Sequence, residues 1–195
     1  MIYTPKILAF AGSTRIGSYN KMMVKVAVEG AKKAGADVTY IDLRDYPIPL
    51  YDADLDSNEG FPENAKRLKK LFIENDGFLI ATPEYNSAIS GVLKNAIDWV
   101  SRKETPEEPL LDCFRKKVIS LMSASPGGFG GIQALLNAKW IFSNMGGLVI
   151  PEQVSIPKIH VAFNLDGTFK DEINQKNVEN QGIALANMIK RLNNN

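Results

Sequence analysis

Lys6-Ile7-Leu8-Ala9-Phe10-Ala11-Gly12-Ser13-Thr14-Arg15-Ile16-Gly17-Ser18-Tyr19-Asn20 is the stretch that decides the fold. Six mostly apolar residues run into a polar, glycine-bearing loop. The loop opens a segment, residues 20–34, that places Met23, Ala27, Ala31 and Ala34 at three- and four-residue steps and stops at Gly35, a residue suited to ending a helix. Strand, loop and helix in that order begin a βαβ unit. A strand that is apolar throughout, without alternation, is covered on both faces, as in parallel sheets.

Working outward, four more strand-like runs fall at residues 38–43, 77–82, 117–123 and 148–154. Helical spacing separates them. Residues 62–74 repeat Leu68, Leu71 and Phe72, residues 92–102 repeat Leu93, Ala96, Ile97 and Val100, and residues 131–145 and 171–192 complete the set. Alternating strands and helices predict an α/β fold: a doubly wound, five-stranded parallel sheet of order 2-1-3-4-5 with helices on both faces. In that order the ligand crevice lies at the carboxyl ends of strands one and three, where the winding reverses. Residues 50–61 and 103–110 read as polar loops. Without a repeat, low-complexity segment or long linker, residues 1–195 read as one domain.

Composition removes several function classes. The 195 residues carry 23 Lys+Arg against 22 Asp+Glu, a formal charge of +1, which offers no broad basic field for nucleic acid. Cys113 is the only cysteine and His160 the only histidine, so a disulfide, a structural zinc site and a Cys–His or Ser–His–Asp arrangement are not expected. No metal site and no catalytic side chain is nominated. The first apolar run is far shorter than the roughly 20 residues of a membrane span and no signal peptide precedes it, so no membrane partner is expected and the expected address is the cytoplasm.

Three loops stand where the crevice is predicted. In the first, helix N-terminal N–H groups, the hydroxyls of Ser13, Thr14 and Ser18, the amide of Asn20 and the guanidinium of Arg15 suit a phosphate dianion. The alternative is Ser18 as a helix cap and Arg15 as a solvated charge. The loop is neither GxxxxGK[ST] nor GxGxxG, which favours a mononucleotide over a nucleoside triphosphate or a dinucleotide. In the second, Pro83-Glu84-Tyr85-Asn86 offers an aromatic and main-chain groups to a flat heterocycle, or is a proline-led turn. There Glu84 is read as binding or capping, not as a general base. The third, Ser123-Ala124-Ser125-Pro126-Gly127-Gly128-Phe129-Gly130-Gly131, either brings bare backbone to a ring or is a flexible connection. Trp99 and Trp140 read as core or subunit-contact residues, with Trp99 a candidate to need covering by a second copy. His160 reads as structural or exposed.

At these residues the chain resembles the NADPH-dependent FMN reductase family of flavodoxin-like proteins, especially its chromate, quinone and azo-dye reductases. The likeness rests on residues 12–20, on Pro49-Leu50-Tyr51-Asp52-Ala53-Asp54, on Pro83-Glu84-Tyr85-Asn86 with Leu93-Lys94-Asn95-Ala96-Ile97-Asp98-Trp99, and on Gly130-Gly131. The resemblance implies FMN, with its phosphate at Ser13, Arg15, Ser18 and Asn20, Tyr19 in the same loop, and its ring at Pro83, Glu84, Tyr85, Asn86 and the main chain of Ala124 and Ser125. It implies NADPH or NADH as co-substrate, a quinone or similar small acceptor, and a homodimer or homotetramer. Two departures stand out. Ser90-Gly91 replaces a common Pro-Gly, and Gln133 replaces an arginine often found two residues after the paired glycines, leaving the choice between NADPH and NADH open. The competing expectations are a flavodoxin-like electron carrier, a flavin-based redox-sensing binding module, and a phosphate-binding fold without flavin. Near-neutral charge and Arg15 weigh against the carrier.

Overall fold

A computed structural model describes residues 3–194. The chain runs β1 (Lys6–Ala11), α1 (Tyr19–Lys33), β2 (Asp37–Tyr40), α2 (Ala53–Glu59), α3 (Glu63–Glu74), β3 (Gly77–Thr82), β4 (Glu84–Tyr85), β5 (Ala88–Ile89), α4 (Gly91–Val100), β6 (Val118–Ala124), α5 (Ile132–Asn144), β7 (Leu148–Ile156) and α6 (Glu172–Asn193). Short 3₁₀ turns lie at Leu43–Asp45 and Ile159–Val161. The main sheet has the order β2-β1-β3-β6-β7, all parallel, and β4 and β5 form a separate antiparallel hairpin. Counting only the main sheet, the order is the expected 2-1-3-4-5, and the fold is the flavodoxin-like one.

Side chains of β1 divide the core in two. Ile7 and Ala9 face a layer with Met23 and Ala27 of α1 and Leu185 and Ile189 of α6, while Leu8 and Phe10 face one with Phe72 of α3, Leu93 of α4 and Phe142 of α5. The period of two along a strand makes this split inevitable. Helices α1 and α6 approach backbone to backbone: a Cβ at Gly182 would lie 2.0 Å from the Ala27 carbonyl oxygen. On the other face Phe72, Phe78, Phe114 and Phe142 make a chain of edge and tilted contacts with centroids 4.7–6.2 Å apart, each such pair adding about 0.5–1.5 kcal/mol beyond its burial.

Three expectations need correction. Residues 50–61 are not simply a loop, for they contain α2. Asp52 caps it, accepting from the N–H groups of Asp54 at 2.8 Å and Leu55 at 3.4 Å, and no residue of α2 is buried, so no apolar stripe announced it. The second strand ends at Tyr40, because Asp42 accepts from Arg44 N–H and turns the chain into the 3₁₀ turn. Cys113 sits in the turn before β6. Its thiol is buried, donates to the Val100 carbonyl at 3.1 Å and is pushed up to about 12, chiefly by burial. Trp99 needs no second copy to cover it. It is fully buried, its indole N–H donates to the Pro49 carbonyl at 2.8 Å, and Tyr51 and Phe61 pack edge-on against it.

That last contact belongs to a clasp. Asn95 of α4 donates to the Pro49 carbonyl at 2.9 Å and accepts from Tyr51 N–H at 2.8 Å, so the Pro49–Tyr51 backbone is bound to α4 by Asn95 and Trp99 together. Phe61 extends the clasp to Lys69 of α3, whose ammonium stands 5.2 Å from the ring centroid. Lys69 is itself buried against Glu108 at 2.5 Å, holding residues 103–110 down.

Candidate functional site

Sheet order puts the carboxyl ends of β1, β3, β6 and β7 on one edge, and a cavity of about 220 Å³ opens there. It is lined by Ser13, Arg15, Ser18, Tyr19 and Asn20 from the first loop, by Pro83, Glu84 and Tyr85 from the second, and by Ala124, Ser125 and Pro126 from the third. Ile159 closes it. Of the eleven residues singled out from sequence, ten line this cavity. Asn86 does not: it sits at the tip of the β4–β5 hairpin, exposed, with φ of 50° followed by 64° at Ser87, the paired left-handed conformation of a tight hairpin turn. A hollow of about 570 Å³ lies beside α3 among Lys66, Lys70, Glu74 and Glu104, but it is a solvated helix surface remote from the strand ends.

The first loop leaves its polar groups uncommitted. Ser18 stands at the N-cap of α1 with extended backbone, yet its hydroxyl makes no capping bond although the residue is only 4% exposed. No acidic side chain occupies the first turn of α1, so the positive end of the helix dipole is unanswered within the protein. Ser13, nearly buried, accepts only a 3.4 Å bond from Arg15 N–H. Arg15 folds back over its own loop, donating to the Gly17 carbonyl, with its guanidinium 5.2 Å from the Tyr19 ring centroid. Tyr19 in turn lies parallel to Phe163, centroids 6.3 Å apart. The loop is held at its start by Ser90, whose hydroxyl donates to the Gly12 carbonyl at 2.5 Å and accepts from Leu93 N–H at 3.3 Å. A proline at 90 has no side-chain hydroxyl to make either bond, which gives this chain's departure from the common Pro-Gly a physical reason.

Two side chains are committed elsewhere. Glu84 accepts from the N–H groups of Gln133 at 3.0 Å and Ala134 at 3.3 Å, capping the start of α5 from the hairpin, so the capping alternative describes it. Asn20 gives its amide to Ala124 of β6, accepting from the N–H at 3.0 Å and donating to the carbonyl at 3.1 Å. In the third loop the glycines divide. A Cβ at Gly131, where φ is +88°, would meet the Ser123 hydroxyl at 1.9 Å, whereas Gly128 faces open space. Only the first part of that loop, Ala124, Ser125 and Pro126, reaches the cavity.

Sequence reasoning missed Pro126 and Ile159 as lining residues. Ile159 follows β7 and is anchored by its N–H donating to the Ser125 carbonyl at 3.2 Å. The rule that ligands gather at strand carboxyl ends applied to the fifth strand as to the others. His160 is exposed in the same turn. Among the described residues no group of three or more His, Cys, Asp or Glu is placed to hold a metal ion.

Comparison with known proteins agrees with this architecture. The chain is 36% identical over 189 residues to an NAD(P)H-dependent FMN reductase of Pseudomonas aeruginosa, covering 96% of each. It is 34% identical over 145 residues to a quinone reductase of Escherichia coli, covering 74% of this chain and 73% of that one. Among solved structures, FerB, a flavoenzyme NAD(P)H:(acceptor) oxidoreductase from Paracoccus denitrificans, superposes with a TM-score of 0.79 at 27% identity, over 96% of this chain and 98% of FerB. Residues 5–161 match the family described as NADPH-dependent FMN reductase, and the chain belongs to that family.

Proposed function

We propose that the cavity holds FMN, with its phosphate at the N-terminus of α1, and that the chain is an oxidoreductase passing electrons from NADPH or NADH to a small acceptor: a quinone, an azo compound, chromate or free flavin. The uncapped N-terminus of α1 carries this reading. A Ser18 hydroxyl that makes no capping bond and belongs to a nearly buried residue lining the cavity, and a helix end without an acidic neighbour, are the complement of an anion that arrives from outside the chain. The donor set fits a phosphate: hydroxyls of Ser13 and Ser18, main-chain N–H groups of the first turn, and the guanidinium of Arg15, which is exposed and can swing from the Gly17 carbonyl to a stronger, charge-assisted partner.

At about 220 Å³ the cavity is smaller than the roughly 300–1,000 Å³ that encloses a whole ligand. It grips one end of a mononucleotide and leaves the other open along Pro83 and Tyr85, where a second substrate can approach. FMN, when bound, supplies the ring that accepts hydride from the nicotinamide and passes electrons to the acceptor. The protein's part is to bind and orient. Glu84 is engaged with α5, Cys113 is a buried, protonated thiol at neutral pH, and no side chain is assigned an acid–base role.

We also propose a cytoplasmic homodimer or homotetramer. No helix among the described residues is long and apolar enough to cross a membrane. Leu136 and Trp140, one turn apart on α5, are 56% and 66% exposed, an apolar face suited to a second copy; light scattering on the purified chain reads the mass.

The test is a visible spectrum of the protein reconstituted with FMN and desalted, followed without oxygen after separate additions of NADPH and NADH. Retained flavin that is rapidly bleached is the expected result, and the faster donor settles the nucleotide preference that Gln133 leaves open. A colourless protein overturns the reading of the cavity. Retained flavin that neither nucleotide reduces moves the chain to the carrier or sensor class. If both substrates use the open side in turn, initial-rate plots are parallel, and intersecting lines rule out a shared site.

A further inference from the structure

The carboxamide of Asn20 occupies a place in the sheet. β3 pairs with β6 up to Thr82 opposite Ser123 and stops there, while β6 continues one residue further to Ala124, paired on its other side with Ile156 of β7. On the β3 side no strand reaches the N–H and C=O of Ala124, and the residue is 3% exposed. Asn20 meets both groups. Its Oδ1 accepts from the N–H at 3.0 Å and its Nδ2 donates to the carbonyl at 3.1 Å, with Asn20 itself 4% exposed. A side-chain amide has the donor and acceptor of a peptide group, so Asn20 completes the ladder that β3 leaves unfinished, across 104 positions of sequence.

We propose that Asn20 is a positioning residue coupling the phosphate loop to the third loop, and not a phosphate ligand. This rests on the reading that the cavity holds FMN. Asn20 opens the first turn of α1, immediately after Ser18 and Tyr19, and Ala124 leads directly into Ser125 and Pro126 on the opposite wall. One side chain therefore sets the separation of the two walls, and the adjoining main-chain bonds from Ser125 N–H to the Ile156 carbonyl and from Ile159 N–H to the Ser125 carbonyl, each 3.2 Å, carry that placement on to Ile159. Removing the carboxamide leaves a buried N–H and C=O unpaired, and relief comes by moving the third loop.

The experiment compares FMN with riboflavin, which is the same ligand without the phosphate. Dissociation constants for both are measured by flavin fluorescence titration on the full chain and on Asn20→Ala, Asn20→Ser and Arg15→Ala, together with amide hydrogen exchange at Ala124 in the flavin-free proteins. For the Asn20 variants the expected result is weaker binding of both ligands by the same factor, about fivefold or more as for buried groups left unsatisfied. Their ratio stays unchanged, and Ala124 N–H loses protection. Arg15→Ala collapses the ratio instead. Asn20→Ser keeps a small polar group should the alanine variant fail to fold.

Weakened FMN with unchanged riboflavin makes Asn20 a phosphate ligand and overturns the proposal, and unchanged affinity for both overturns it equally. If the wild-type chain binds neither flavin, the cavity reading has failed. The exchange measurement then still tests the clamp by itself: protection of Ala124 that survives Asn20→Ala overturns it.

Discussion

Residues 12–20 after β1 and residues 49–54 at the start of α2 both lead into a helix, both carry short polar side chains and aromatics, and both contribute to the family resemblance. Their hydrogen bonds differ. In the second stretch the Pro49 carbonyl accepts from Trp99 and Asn95, Tyr51 N–H donates to Asn95, and Asp52 caps α2. In the first, the Ser18 hydroxyl and the N-terminus of α1 have no side-chain partner, and Arg15 rests on its own loop. A motif whose polar groups are satisfied within the chain is a clasp, while one whose polar groups face a cavity without a partner is a site. The same test separates residues within one loop. Asn20 behaves like Asn95, giving both ends of its amide to a distant backbone, and Ser18 does not.

The largest effect expected from this contrast is on stability. Trp99→Ala removes a fully buried indole and leaves the Pro49 carbonyl short of a donor, which costs about 3–5 kcal/mol in chemical denaturation. Trp99→Phe keeps most of the packing and isolates the N–H···O bond at about 1 kcal/mol. FMN affinity of the folded fraction changes little in either. A large loss of FMN affinity in Trp99→Phe, with stability intact, merges clasp and site and breaks the comparison.

Arg15→Ala is the converse. A guanidinium that is exposed and held by one carbonyl contributes little to folding, so stability shifts by no more than about 0.5 kcal/mol. FMN affinity falls by about 1.5–3 kcal/mol, the worth of a hydrogen bond to a charged group. Equilibrium dialysis reads the second quantity and thermal unfolding the first. Unchanged FMN affinity removes the phosphate from this loop.

The two regions also answer to pH in different windows. Burial pushes the Glu108 carboxyl up, but the hydrogen bonds from Lys69 and from Glu104 N–H, and the charges of Lys69 and Lys103, outweigh it and hold the group below its ordinary value of 4.5. A carboxyl lowered in the folded state stabilises fully above its unfolded value and loses that contribution as pH falls through the folded one. The clasp side therefore weakens only below about pH 4.5, and Glu108→Gln removes that acid-side loss at the cost of a buried Lys69 without its counter-charge, still donating to the Arg102 carbonyl. FMN binding weakens earlier, as a phosphomonoester dianion takes up a proton near pH 6, and riboflavin binding lacks that step. Coincident pH profiles for stability and FMN affinity break the distinction.

How much of this was legible follows from the same physics. Five strands and their order were readable because buried parallel strands are apolar end to end, as Phe78-Leu79-Ile80-Ala81 shows. The early end of the second strand at Tyr40, α2 and the β4–β5 hairpin were not, because they bury little: α2 buries no residue, and the hairpin turns on Asn86-Ser87 instead of the Asn-Gly that marks such turns. In the site, the sequence showed which side chains can bind a phosphate but not which were already engaged. Asn20 and Ala124 are 104 positions apart, and Glu84 reaches N–H groups 49 and 50 positions on. No periodicity or spacing links such pairs, so binding capacity was legible and satisfaction was not.

Ser18→Ala is the smallest of these changes and separates the two readings of its residue most cleanly. Serine at an N-cap ordinarily accepts from the second or third N–H of its helix, and its loss to alanine costs about 1 kcal/mol of stability. Here that bond is not made, so the variant unfolds within about 0.5 kcal/mol of the parent. What it removes is a hydroxyl at the mouth of an uncapped helix, and FMN binds more weakly by about 1.5 kcal/mol, the low end of what a hydrogen bond to a charged group is worth, with riboflavin unaffected. Should stability fall by a full cap's worth while FMN affinity holds, Ser18 caps α1 in solution, the helix end is satisfied without a ligand, and the loop after β1 joins the clasp after all.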